Sequence, residues 1–338
     1  MYCLTGIFVK FLTSSLRFPG FLFASILTSV SVAQEHTPLQ VSNQNPLVKI
    51  FALPVAESAK ILEPTQESTH ISVDWASNFT SEFNSNEFVF VDGESAQVNI
   101  RWRYGFDLWE FGLDLNFSRY SGGSLDNFIE NWHSWFGLPN GGRELADRNQ
   151  LRYEYIRDGM QQLDIMEKHS GFGDTRLTGA YQLNNTGRFD LAIRGGIKIP
   201  TGDSNKLLGS EGMDINLGFM LGDEVTFQQQ RASYFFGAGA IWTEDGEILP
   251  AYRENTVLYF HGGLIKSLAE RWQLKLQLDG HTAFYDSALR PLSDALQLSI
   301  GGAYRLSNDL QLDFAIVEDV VTDSSSDVSF HLNLYNLF

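Results

Sequence analysis

The chain is predicted to be all-β: a transmembrane antiparallel up-and-down β-barrel of about twelve strands, with one long extracellular loop containing a short amphipathic helix. Three observations predict this fold. Apolar residues recur at every second position through most of the sequence after residue 68. The connections between these stretches alternate between short and long. The final stretch ends on an aromatic residue, Phe338. A period of two, apolar on one side and polar on the other, describes an extended strand standing between two solvents.

The two ends of the chain are read first. Val328, Phe330, Leu332 and Leu334 alternate with Ser329, His331, Asn333 and Tyr335, although Asn336 stands where a further apolar residue is usual. A last strand of this kind is expected of bacterial outer-membrane proteins, where it closes the barrel and is read by the barrel-assembly machinery during biogenesis. At the other end, Lys10 and Arg17 precede an apolar run over residues 18–32, and Ser31-Val32-Ala33 supplies small residues. A signal peptide over residues 1–33 is expected, with cleavage after Ala33. The alternative, a membrane anchor, fits less well because the run is short and holds Pro19 and Gly20. The expected location is therefore the bacterial outer membrane, with its lipids as partner.

Composition narrows the classes further. The net charge of −17 argues against binding nucleic acid or an anionic surface through the overall field. The one cysteine, Cys3, falls within the expected signal peptide, which leaves no thiol for a disulfide or metal site. The histidines are scattered without an HExxH-like pair, so no metal and no cofactor is expected. The 26 Phe, 12 Tyr and 7 Trp occur without any apolar run long enough for a membrane helix. Two architectures combine export with many aromatics in this way, a secreted β-sandwich and a membrane barrel. Strands of roughly 9–13 residues are long for a soluble sandwich and suit a tilted bilayer crossing.

Residues 34–67 are irregular and punctuated by Pro38, Pro46, Pro54 and Pro64. This stretch is expected to be a periplasmic or plug segment, and its apolar piece over residues 46–54 either threads into the barrel or packs on its rim. The barrel is expected over residues 68–338. Ile71, Val73 and Trp75 alternate with polar or small neighbours, as do Val98, Ile100, Trp102 and Tyr104, and then Trp109, Phe111, Leu113, Leu115 and Phe117. Further alternating strands centre on Leu177–Leu183, Phe189–Ile197, Ile215–Leu221, Leu274–Leu278, Leu296–Ile300 and Leu310–Ile316. Two more, over residues 234–242 and 257–265, are apolar on both faces and leave their facing open. Short turns are expected at 105–107, 184–187, 222–230, 268–271 and 306–309. Longer connections are expected at 80–87, 121–171, 201–212, 244–255, 286–293 and 320–327. Short turns on one side, long loops on the other and an even strand count are features of an outer-membrane barrel.

The longest connection, residues 121–171, holds Leu125, Phe128, Ile129, Trp132 and Phe136 at helical spacing, with Ser124 as N-cap and Gly137 and Pro139 as a stop. Asp126, Glu130 and His133 share the opposite face. The helix is expected to pack as a lid over the barrel mouth, and the alternative gives His133 or Glu130 a ligand contact there. A hairpin is expected about Asp158-Gly159. Two Gly-rich stretches, residues 171–174 and 198–202 with 209–214, read as rim turns because neither precedes a helix as a phosphate loop requires.

Taken together, Asn43-Gln44-Asn45-Pro46-Leu47 with Ile50-Phe51-Ala52-Leu53-Pro54, Asp92-Gly93-Glu94, residues 121–140, Gly171–Asp174 and Lys198–Gly202 make the chain resemble the proteobacterial outer-membrane family known as domain of unknown function 3187. The resemblance covers nearly the whole chain after the signal. It implies an outer-membrane β-barrel and brings no substrate, activity or site residue with it.

On the polar faces, Arg101, Arg103, Glu110, Asp114, Arg176 and Asp190 are expected to line the lumen. So are Arg194, Lys198, Lys275, Asp279, Asp313 and His331. Arg101 and Arg103 lie beside Glu110 and Asp114 on the next strand, so some pairs are expected to brace the wall; any basic ladder left unpaired would favour anionic solutes. Asp327, Ser329 and His331 have the residue types of a hydrolase triad. Residues two apart on a strand stand about 7 Å from each other, too far for a nucleophile and its base. The function expected is a monomeric channel for small polar solutes. An outer-membrane lipid-modifying enzyme and a closed structural barrel are the alternatives.

Overall fold

The period-two stretches pair into one antiparallel sheet that closes on itself. The computed structural model describes residues 36–123, 149–320 and 324–338. The first three strands are β1 (Glu67–Phe83), β2 (Glu87–Phe106) and β3 (Trp109–Ser121). Three short strands follow, β4 (Arg152–Arg157), β5 (Met160–Ile165) and β6 (His169–Phe172). The remaining strands are β7 (Thr175–Asn184), β8 (Asp190–Ile199), β9 (Asp214–Asp223), β10 (Ala232–Thr243), β11 (Thr256–Ser267), β12 (Trp272–His281), β13 (Ala295–Arg305), β14 (Leu310–Asp319) and β15 (Val328–Leu337). Each of β1–β3 and β7–β15 pairs with its neighbours in order, and β15 returns to β1 in register Ser68↔Leu337 through Ser77↔Val328. The result is a closed barrel of twelve antiparallel strands.

Alternation sets the two faces. On β12, Leu276 is 42% exposed and its neighbour Gln277 is 1% exposed. The exposed face is apolar all round the barrel, including Ile71, Val73, Leu115, Ile197, Leu217, Leu264, Ile300 and Leu332. In water so continuous an apolar band would be untenable; against lipid it is the stable arrangement. Near the short turns the band carries paired aromatics, Trp109 with Tyr181 and Trp272 with Tyr304, where amphipathic rings suit the headgroup level.

The predicted hairpin is present, with β4 and β5 joined through Asp158 (φ 53°) and Gly159 (φ 75°), the left-handed pair that a two-residue turn requires. The expected lid helix, with Asp126, Glu130, Trp132 and His133, lies outside the described residues, as does the expected signal peptide.

The connection expected over residues 80–87 is different. β1 runs on to Phe83 and β2 begins at Glu87, so the turn is only residues 84–86, held by Asn84 Oδ1 accepting from the amides of Asn86 and Glu87 at 2.8 Å each. The outer part of β2, Glu87–Asp92, pairs with β4. Val89 and Val91 are buried there with Tyr153 and Tyr155. Both faces of this stretch are covered, which removes the alternation that would have marked it as strand.

Residues 36–62 run inside the barrel, and residues 63–66 emerge at its short-turn end. His36 Nε2 meets Ser267 Oγ at the short-turn end, Leu39 N and O bond the Gln277 amide at 2.9 Å each, and Asn43 Nδ2 reaches His281 and the Ser324 carbonyl near the long loops. The chain turns there through nested side-chain bonds. Asn43 Oδ1 accepts from Asn45 N, and Asn45 Oδ1 from Leu47 N, both at 2.9 Å. It then descends the opposite side, past Ala52 N on Asp214, Ile61 N on Gln182 and Leu62 N on Glu110, to Thr65 N on the Gly105 carbonyl at the short-turn end. The apex packs Leu47, Val48, Ile50 and Phe51 under the loops, with Phe51 stacked on Phe284 at 4.3 Å between centroids.

Placing a charge on the outer face gives a direct test of this arrangement. Leu276→Arg at mid-strand is expected to cost about 2–4 kcal/mol of folding stability in lipid, measured by denaturant titration in vesicles; an unchanged stability would mean that Leu276 does not face the hydrocarbon.

Candidate functional site

The inner face of the strands and the descending limb of the segment build the site together. Cross-strand register sets Arg101 of β2 opposite Asp114 of β3, Asp114 opposite Arg176 of β7, Arg176 opposite Lys198 of β8, and Lys198 opposite Asp214 of β9. One row of five inward side chains therefore reads plus, minus, plus, plus, minus. Arg103, Glu110 and Arg194 lie closer to the short-turn end.

Glu57 of the segment ties this lower group together. It accepts from Arg103 Nη2 at 2.6 Å and from Arg194 Nη1 at 2.8 Å. Arg194 also bonds Glu110 at 2.7 Å and donates to the Ser58 carbonyl, while Arg103 pairs with Asp114. The charges alternate along Asp114–Arg103–Glu57–Arg194–Glu110, so each has an opposite neighbour. Such buried pairs contribute little over an apolar filling, but removing one member strands the other at about 3–5 kcal/mol.

A second node sits near the long loops. Lys198 Nζ lies 2.9 Å from Asp174 and 3.0 Å from Asp214, bonds Ser210 Oγ, and donates to the Ile50 carbonyl at 3.0 Å. Asp174 in turn accepts from the amides of Thr201, Gly202 and Ser210. A Cβ at Gly209 would stand 2.3 Å from Asp174 Oδ1, so glycine alone lets that loop wrap the carboxylate. The two Gly-rich stretches are rim turns with a purpose: together they hold one carboxylate that fixes one lysine to the segment.

The other expected lumen residues are placed as follows. Lys275 pairs with Asp313 at 3.1 Å, Asp279 with His261 at 2.7 Å, and His331 Nδ1 with Asp74 at 2.6 Å. Asp190 is half-buried near Lys60. The Asp327, Ser329 and His331 residues do not assemble: His331 is committed to Asp74, and its Nε2 has no hydrogen-bond partner among the described residues.

Arg101 and Arg176 stand apart, because neither is within ion-pair distance of a carboxylate among the described residues. Arg101 donates to Ser72 Oγ at 3.2 Å, and Arg176 to the carbonyls of Phe51 and Leu53. Lys49 of the segment joins them. Its ammonium lies 4.2 Å from the Tyr120 ring centre and has no hydrogen-bond partner among the described residues. Between segment and wall remain cavities of about 50, 40 and 30 Å³, room for a few water molecules apiece.

The family model described as Protein of unknown function (DUF3187) matches residues 21–338. The chain belongs to the DUF3187 family. A search of curated proteins finds no match. Among solved structures, the DUF3187 chain is similar to the COG4313 outer membrane channel from Pseudomonas putida F1, with 13% identity, a TM-score of 0.56, and coverage of 83% of this chain and 98% of that one. A weaker likeness, TM-score 0.42 at 7% identity over 80% and 99% of the two chains, is to the KdgM porin in complex with disordered oligogalacturonate. The first likeness establishes the fold of an outer-membrane β-barrel.

Among the described residues, several motifs by which the sequence resembles the DUF3187 family take part in this assembly, while residues 124–140 lie outside the described residues. Asn43–Leu47 forms the apex turn, Glu94 accepts from Trp75 Nε1, and Gly171–Asp174 with Lys198–Gly202 builds the lysine node. Sequence reasoning missed Glu57, Lys49, Gln182 and Gln277. A lone charge inside an apolar, proline-marked stretch was the available signal for the first two. The glutamines gave none, since a polar inward residue looks alike whether it meets water or backbone.

Lys198→Met is expected to leave Asp174 and Asp214 without their shared cation, at about 3–5 kcal/mol. Limited proteolysis of the folded barrel should then cut within residues 36–62 faster than in the parent; equal cutting rates would show that the node does not hold the segment.

Proposed function

We propose that this DUF3187 chain is an outer-membrane channel for small polar solutes, closed by its own N-terminal segment and opened when that segment shifts from the wall. The observation that carries this reading is the course of residues 36–62 up one side of the lumen and down the other. The inner wall is polar and charged, as a solute path requires. The remaining gaps, of about 50, 40 and 30 Å³, hold no more than a few water molecules or one small ion each. Before its backbone bonds to Gly105 at Thr65 and Gln66, the segment is held through side chains and carries no strand ladder to the wall, so it can move without unzipping the barrel. The solved neighbour of similar fold is itself described as a channel.

The same filling supports a second reading, a closed barrel whose segment never leaves. A cross-link separates the two. A Cβ at Gly222 would lie 3.3 Å from the Ala59 Cβ, close to the ~3.5–4.5 Å span of a disulfide. With Ala59→Cys and Gly222→Cys in one chain, liposome swelling by small sugars and organic acids is expected in reductant and lost on oxidation. Equal exclusion of every solute in both states would favour the permanently closed barrel. Deleting the segment cannot decide, because an emptied lumen would leak in either case.

A further inference from the structure

We propose that the seam between segment and wall, where Lys49, Arg101 and Arg176 converge, is a binding site for a small oxyanion of the carboxylate or phosphate class. The three cations line one cavity of about 30 Å³. Among the described residues the only carboxylate lining it is Asp114, which is already bonded to Arg103. The nearby carboxylates that do not line it are engaged as well: Asp74 with His331 and Asn99, and Asp174 with Lys198 and three backbone amides.

Buried cations are stable only when paired or hydrogen-bonded. Among the described residues Arg101 makes one hydrogen bond, while Arg176 Nε and Lys49 Nζ make none. The wall supplies amide groups around the same space from Gln97, Asn99 and Asn116. A planar or tetrahedral oxyanion matches guanidinium and ammonium donors arranged in this way. A neutral solute would leave the charge uncompensated, and a cation would add to it.

Lys49 belongs to the segment, and Arg101 and Arg176 belong to the wall. The site is complete only while the segment is docked, so an occupant binds the shut state better than the open one and acts as a latch. That consequence rests on the channel reading above; the binding itself does not.

The test uses the full chain carrying Ala59→Cys and Gly222→Cys, oxidised so that the segment is fixed, with calorimetric titration of inorganic phosphate, acetate, chloride and glycerol. Saturable binding of phosphate or acetate is expected, with none of glycerol. Lys49→Met in the same background should weaken it by about tenfold or more, the loss of one charge-assisted contact. Heat-modifiable migration on gels checks that this variant still forms the barrel. Absence of saturable oxyanion binding to the parent, or affinity unchanged by Lys49→Met in a folded barrel, would overturn the site. Binding that persists while reduced protein never conducts would leave the site standing and overturn the channel.

Discussion

A stretch of chain that crosses a barrel without joining its sheet must satisfy its own buried amides and carbonyls, and everything in this lumen answers to that demand. Each orphaned backbone group costs on the order of 1–3 kcal/mol, and residues 36–62 present them along two limbs. The strands answer with side chains. Gln277 bonds both N and O of Leu39, Gln182 serves Ile61 N and the Ala59 carbonyl, Arg176 takes the carbonyls of Phe51 and Leu53, and Lys198 and Arg194 take one carbonyl each. A polar barrel interior is here the complement of one particular peptide. That explains why the inward residues are long amides and cations, the types able to span a gap from sheet to segment.

The same demand decides what could be read from the residues alone. The barrel was legible because lipid imposes its apolar half strand by strand, and the alternation of Leu274, Leu276 and Leu278 against Gln273, Lys275 and Gln277 needs no knowledge of the interior. Where the interior is also apolar, the signal vanishes. Ile241, Val257 and Tyr259 face inward beneath the apex, and Phe235 and Ile265 pack with Ala56 and Ala59 of the descending limb. Those inward contacts are why residues 234–242 and 257–265 read as apolar on both faces. The outer part of β2 was hidden for the same reason, being covered on both sides. The segment itself left only its prolines and its lone charges, since a chain fitted by tertiary contacts has no period of its own.

Charge in the lumen follows a division of labour. Arg103, Arg194, Lys198 and Lys275 have carboxylate partners within ion-pair distance, and each of the first three also closes a link from wall to segment. These charges therefore form an interlocked belt of ion pairs with one unpaired patch. That patch is where Arg101 and Arg176 flank Asp114 in register, while Asp114 turns instead to Arg103, two residues along β2 from Arg101. One carboxylate among four cations can neutralise only one of them, and the choice of Arg103 is what leaves the seam positive.

Docking of this strength sets a condition on opening. If the ion-paired links broke one at a time, each would strand a buried charge at about 3–5 kcal/mol, and the segment would never leave. Concerted departure avoids that penalty, because Glu57 leaving with its limb frees Arg103 and Arg194 to an incoming column of water, and Asp114 and Glu110 stay beside them on the wall. The wall thus keeps its own counter-charges at the lower node. At the upper node the segment contributes only carbonyls to Lys198 and Arg176, whose loss water can make good. Arg103, Arg194 and Lys198 thus each keep a carboxylate of the wall when the segment departs, as the removable closure proposed above requires.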